Sequence, residues 1–146
     1  MTYQAVKTYG HNFGLSVAFR QWRAHSHCSY LHGYALGVEV VFEAENLDDY
    51  NWVVDFGAMA SFREKLTKKF DHKTLVAHDD PELAWFRRAE KRGIIQMEIV
   101  DNTGCEYFAR IVFDMAENWI NDEGLLVKVA SVKISEHGAN SAIYKK

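Results

Sequence analysis

The residues best suited to chemistry crowd into one short stretch, His25-Ser-His27-Cys28-Ser-Tyr-Leu-His32-Gly-Tyr34. Imidazole binds zinc well, and three neutral histidines around one ion leave an open position where a bound oxygen becomes more acidic. A polar turn that happens to be rich in histidine is the plainer reading of the same stretch. Cys28 can serve as nucleophile or base as a thiolate, the form that a nearby cation, metal or hydrogen-bonded histidine favours. Its plainer reading is a small buried residue. Asp71-His72 pairs a carboxylate with an imidazole that it can orient or relieve of a proton, or simply ends a helix with a favourable cation. Glu136, just before Gly138, can accept two hydrogen bonds from an amidine-like edge, or can be a solvated surface carboxylate.

Such groups need a scaffold, and the composition describes one. The 146 residues are 48% hydrophobic and 25% charged with a single proline, which fits one globular domain over 1–146 and not a disordered chain. The formal charge of −3 lacks the cationic excess of a nucleic-acid binder. No apolar run approaches the roughly 18–20 residues of a membrane span, and the first residues show no export signal. Cys28 and Cys105 form no disulfide framework, so a reducing cytoplasm is the expected compartment.

Apolar alternation in Phe13-Gly-Leu15-Ser-Val17-Ala-Phe19 predicts a half-buried strand, and Leu36, Val38, Val40 and Phe42 predict a second, antiparallel to it across the histidine segment. Asp55 is placed to cap a helix carrying Met59, Phe62, Leu66 and Phe70 on one face. Asp80-Pro81 opens a shorter helix that Gly93 closes, with a strand over Ile94 to Val100. Thr103-Gly-Cys-Glu106 has capping-box spacing ahead of the helical stripe Phe108, Ile111, Val112, Met115 and Trp119. Val127, Val129, Val132 and Ile134, then Ala142-Ile-Tyr144, predict two closing strands. The expectation is an α+β domain: an antiparallel sheet with two long helices on one face and an insertion at about 79–101.

Cys28-x-x-x-His32-Gly33, Asn51-Trp-Val-Val-Asp55-Phe56, Asp71-His72-Lys73-x-Leu75, and Glu136 followed by Ala142-Ile-Tyr144 together resemble the 6-pyruvoyltetrahydropterin / 6-carboxytetrahydropterin synthase family. The resemblance covers nearly the whole chain, apart from the insertion, which compact family members lack. It implies the tunnelling fold (T-fold), in which subunit sheets join edge to edge into a barrel, usually a trimer stacked on a second trimer. A lone sheet with two unpaired edges has the same need for closure. The implied substrate is 7,8-dihydroneopterin triphosphate, from which triphosphate is eliminated. The bacterial branch also cleaves the side chain, releasing acetaldehyde and leaving 6-carboxytetrahydropterin for 7-deazaguanine (queuosine) synthesis.

Carried over by position, Cys28 matches the base acting on the substrate side chain, Asp71 and His72 the proton-relaying pair, and Glu136 the pterin anchor. Cys105 and Glu106 fall at a turn implied to contact substrate, although a capping box with Thr103 also accounts for Glu106. The family's zinc is held by a histidine ending strand one and a His-Gly-His pair opening strand two. Here those positions read Phe19 and His32-Gly33-Tyr34. A phenol is a poor zinc ligand near neutral pH unless the metal strips its proton. Sliding His25 onto the first position, or turning His27 inward beside Cys28, gives a rearranged site in which zinc is expected on His32 with His27 or His25. The expected activity is that of a 6-carboxytetrahydropterin synthase-like lyase; the alternative is an altered or inactive pterin- or purine-binding member. Expected partners are the small-molecule substrate and further copies of the chain, as trimer or hexamer, without nucleic acid or membrane.

Overall fold

Where alternation is strongest in the sequence, strands form. In a computed structural model describing residues 1–146, Leu15–Phe19 is β2 and His32–Ala44 is β3, preceded by β1 (Tyr3–Tyr9). The chain continues through α1 (Ala60–Phe70), β4 (Lys73–Ala77), α2 (Leu83–Lys91), β5 (Met97–Val100), α3 (Cys105–Asp122), β6 (Lys128–His137) and β7 (Asn140–Tyr144). β3 is the spine of the seven-stranded sheet, whose order is β5-β4-β2-β3-β6-β7, with β1 also on β3. One edge of β3 is shared in succession by β1, from Tyr3↔Ala44 to Tyr9↔Val38, and β2, from Leu15↔Leu36 to Phe19↔His32. Its other edge pairs with β6, starting at Gly37↔Ser135.

Helices α1 and α3 cover the inner face of this sheet. Leu15, Val17, Phe19, Leu36, Val38, Val40, Phe42, Val132 and Ile134 pack there against Phe62, Leu66 and Phe70 of α1 and Phe108, Val112, Phe113, Ala116 and Trp119 of α3 in one core. The Trp119 Nε1–H, buried with the ring, donates to Ser61 Oγ at 2.9 Å, so the largest core side chain leaves no polar atom unpaired. Val129 and Val132 both point inward although three residues apart, because the register slips where Val41↔Ser131 gives way to Phe42↔Val129.

The sheet is mixed and not antiparallel as expected, since β4 runs parallel to both β2 and β5. Thr74, Leu75, Val76 and Ala77 are all buried, so β4 is covered on both faces. Leu75 belongs to the main core, whereas Val76 lies outside it with Phe86 and Ala89 of α2. Helix α2, packed on β4 and β5, therefore covers the face opposite α1 and α3. The inserted segment adds a helix and an edge strand, and Gly93 at φ 75° closes that helix as expected.

Three helix starts differ from expectation, the first being α2, which opens at Leu83 without a side-chain cap and not on Asp80-Pro81. The Asp55 carboxylate caps a short turn, accepting from Gly57 N at 2.9 Å, and α1 begins only after it. Thr103 and Glu106 do not form a capping box: α3 opens on Gly104 without a side-chain cap, and Thr103 Oγ1 instead donates to Arg20 O at 2.7 Å. Gly104 has φ 113°, and a Cβ there would strike the Gln21 side-chain amide, so only glycine fits.

Candidate active site

On one face of a strand pair, alternate residues stand side by side. Phe19 is the cross-strand partner of His32, and Tyr34 lies two residues further along the same face of β3. Their rings meet at 5.0 Å (Phe19–His32), 5.4 Å (His32–Tyr34) and 6.1 Å (Phe19–Tyr34) between centroids. Phe19 is 1% exposed and lies edge-on to Phe108 of α3 at 5.0 Å. Gly33, between the two β3 rings, has no room for a side chain, since a Cβ would lie 2.9 Å from Val17 O. The Nδ1–H of His32 donates to Tyr30 O at 2.6 Å, which leaves Nε2 as the free nitrogen.

Glu136 enters this corner from the end of β6, and Cys105 from the start of α3. The Cys105 thiol is pushed up to about 12 by burial and then by the charge of the nearby Glu136 carboxylate. It is a neutral thiol, not a nucleophile. The Tyr34 hydroxyl is also raised, first by burial and then by the charge of Glu136. One carboxylate thus has a neutral thiol and a neutral phenol beside it and keeps acceptor capacity for a ligand. Glu106 is exposed in the first turn of α3, close enough for its charge to bear on Cys105.

Cys28 lies half-buried in a short helical turn over His27–Ser29, with its backbone N–H donating to Ser26 Oγ at 3.3 Å. Its side chain makes no hydrogen bond, and its charge bears on Tyr34 across the corner. The loop that carries it is anchored at Arg20, whose Nη2 and Nε donate to Asp80 Oδ1 and Oδ2 at 2.6 and 2.9 Å. Asp80 is 4% exposed and also accepts from Glu82 N at 2.8 Å. Burial works to raise its carboxyl, but the Arg20 and Glu82 hydrogen bonds outweigh burial and hold it below the ordinary value. A carboxylate held low in the folded state adds stability above its unfolded pKa of about 3.9, and that stability is lost as pH falls through the folded value. Urea midpoints followed from about pH 6 to about pH 3 should fall less steeply for Asp80→Asn than for the natural chain. Equal slopes would show that the pair contributes nothing to acid stability.

Asp71 and His72 sit where α1 hands over to β4. Asp71 Oδ1 accepts from Ser16 N at 3.0 Å and lies 3.0 Å from His72 Nδ1, while His72 N donates to Ser16 O at 2.7 Å. Burial works to raise the Asp71 carboxyl; the Ser16 N–H and His72 overcome it and lower it. His72 takes φ 57°, a left-handed conformation costly for a residue with a Cβ, and its side chain is 80% exposed. It borders a shallow groove of about 430 Å³ with Ser16, Ala18, Gly33 and Ala35, on the sheet face away from α1 and α3. No hydrogen bond joins the pair to Cys28, Glu136 or His32.

The structure therefore gathers Cys28, Cys105, Glu136, His32, Phe19 and Tyr34 at one end of the sheet, and sets Asp71-His72 apart. It does not gather the expected zinc ligands. His25 and His27 are exposed in the loop, and no three His, Cys, Asp or Glu side chains converge on a common point. The donor set does not fit the three-imidazole centre that the family resemblance implies, because two of its positions are a phenyl and a phenol. The sequence reading missed the Arg20–Asp80 anchor: opposite charges are visible at both positions, but nothing local says that they meet.

Fold and site together define a class: an α+β chain whose half-buried corner sets a carboxylate beside a neutral thiol, a phenol and a second cysteine. The chain belongs to the 6-pyruvoyl tetrahydropterin synthase family, whose pattern matches residues 9–146. It is 30% identical over 115 residues to a 6-carboxy-5,6,7,8-tetrahydropterin synthase of Helicobacter pylori, covering 73% of this chain and 55% of that protein. It is 33% identical over 57 residues to the enzyme of the same name from Rickettsia bellii, covering 38% of this chain and 41% of that one. The chain thus spans about half the length of the relatives it matches. Among solved structures, an uncharacterized protein of Wolinella succinogenes superposes with a TM-score of 0.84 at 19% identity, over 100% of this chain and 99% of that one. The 6-pyruvoyltetrahydropterin synthase of Plasmodium vivax gives 0.69 at 13% identity, over 100% and 98%. At such identities the likeness speaks for the fold alone.

Proposed function

We propose that the chain is a lyase of the 6-carboxytetrahydropterin synthase type, acting on 7,8-dihydroneopterin triphosphate in the cytoplasm on the route to 7-deazaguanines. The observation that carries this reading is the Glu136 carboxylate, lying close to Cys105 and Tyr34 in the same corner as Cys28. Glu136 would take the ring N–H and the exocyclic amine of the pterin, with Glu106 and Cys105 at the rim of that pocket. Cys28 would withdraw a proton from the substrate side chain as triphosphate leaves. Asp71 and His72 would relay protons. That His72 borders the groove on the other face of the sheet, with no hydrogen bond from the pair to Cys28, supports a trimer or hexamer in which copies complete one another's sites, as do the unpaired outer edges of β5 and β7.

Incubation with dihydroneopterin triphosphate, followed by chromatography of the pterin products, tests the activity directly. Glu136→Gln should weaken pterin binding by about 1.5–3 kcal/mol, roughly 10- to 150-fold in Kd, because an amide cannot accept both ring hydrogen bonds without offering a competing donor. Unchanged affinity in a calorimetric titration would remove Glu136 from the site. Light scattering should show three or six chains per particle; a stable monomer at micromolar concentration would defeat the barrel. Phe19 and Tyr34 at two metal-ligand positions favour a second reading, a pterin- or purine-binding member without lyase activity. Tight pterin binding without product would establish it.

A further inference from the structure

We propose that the Asp79-Asp80 turn of the inserted segment is a positioning device for Cys28. The loop from Arg20 to Leu31 carries Cys28 between β2 and β3, and its internal bonds are few: Gln21 N to Cys28 O at 2.9 Å, Ala24 N to Gln21 O at 3.0 Å, Ser29 N to Ser26 O at 3.1 Å, Tyr30 N to His27 O at 3.0 Å, and the Ser26 oxygens' bonds from Cys28 N and Ser29 Oγ at 3.3 and 3.0 Å. Its strong ties run outward to two consecutive aspartates. Asp80 takes both Arg20 nitrogens, and Asp79 takes Arg23 Nη2 at 3.0 Å and the Trp22 Nε1–H at 3.3 Å. Arg20 passes the grip on, because its Nη1 reaches Ser29 O, next to Cys28, at 3.4 Å. Thr103 bonds the Arg20 carbonyl and so registers the loop against the start of α3, where Cys105 meets Glu136.

With no three-ligand metal site to tie β2 to β3, this clasp is what fixes the loop relative to the Glu136 corner. A bidentate Arg–carboxylate pair suits the task, since it sets direction as well as distance, and Asp80 keeps water from competing by being buried. The aspartates act through Arg20 and Trp22-Arg23 and touch no reacting atom.

The test uses the full chain with Asp80→Asn and Asp79→Asn. Iodoacetamide reports on Cys28, because Cys105 is buried, and Cys28→Ala gives the blank. Local opening of the loop should change the Cys28 alkylation rate by about tenfold in Asp80→Asn and speed amide exchange at Gln21, Ser29 and Tyr30, with a smaller effect in Asp79→Asn. A core truncation far from the loop, Val112→Ala, controls for lost stability and should leave both readouts unchanged. Should Asp80→Asn fail to fold, the more exposed Asp79→Asn carries the test. Wild-type alkylation and exchange in the folded aspartate variants would overturn the proposal, as would an equal change in Val112→Ala at a matched loss of Tm. The kinetic arm rests on the lyase reading: kcat should fall by about ten- to a hundredfold with KM little changed. If the loop readouts change as expected while the natural chain turns over no substrate, the lyase reading fails and the clasp stands.

Discussion

Replacing Phe19 and Tyr34 together by histidine is expected to install a three-histidine zinc site at positions where the natural chain has only His32. The backbone needed is already present: the three positions lie on one face of paired strands, with ring centroids 5.0–6.1 Å apart. Imidazoles in that arrangement can bring nitrogens to about 2.0–2.1 Å from a common ion. Purified without tag or added metal, the natural chain should hold far less than one zinc per copy by elemental analysis. The Phe19→His/Tyr34→His chain should hold about one, and zinc at 100 to 1,000 times its Kd should stabilise it by about 2.7–4.1 kcal/mol. That gain offsets part of what is lost when Phe19 leaves its contact with Phe108. One equivalent of zinc in the natural chain would show that its ligands are drawn from elsewhere. Loss of that zinc on His32→Ala would place the metal at this corner after all.

The second large effect is expected at Cys28. Cys28→Ala should lower kcat by about a thousandfold, within the 10²–10⁴ range of a lost acid–base group. Its Tm should barely move, since the thiol is half-buried and bonded to nothing. Cys105→Ala provides the contrast: it removes a buried neutral thiol from beside Glu136 and should raise KM and lower Tm while kcat changes less. If the two variants exchange these profiles, the base and the neutral binding-site thiol have been assigned the wrong way round.

Sequence periodicity located β2, β3, α3 and the closing strands because each has one wet face and one dry face. It could not locate β4, whose consecutive buried residues carry no alternation, or β1, where Lys7 sits between the inward-facing Ala5 and Tyr9. With β4 unseen, the parallel pairings that make the sheet mixed were unseen too. Glu136, Cys28 and Cys105 were legible through ordered motifs, and their meeting rests on a strand end, a loop and a helix start converging. The expected zinc ligands are not brought together, for a physical reason. Clustering along the chain is not clustering in space, and the loop holding His25 and His27 is pulled toward Asp79 and Asp80, with both imidazoles left in solvent.

The pairing of Gly37 with Ser135 also governs how the molecule is made. The central strand is synthesised well before its partner on one side, which emerges only after α1, β4, α2, β5 and α3. Until then β3 presents an apolar face and a full row of unsatisfied amides and carbonyls, and its inner-face helix α3 has only part of its floor. Closing so long a loop is slow, and a long-exposed strand edge invites pairing with another chain. Refolding yield should therefore fall with chain concentration, and a nascent chain stalled before β6 is the species that most needs a chaperone.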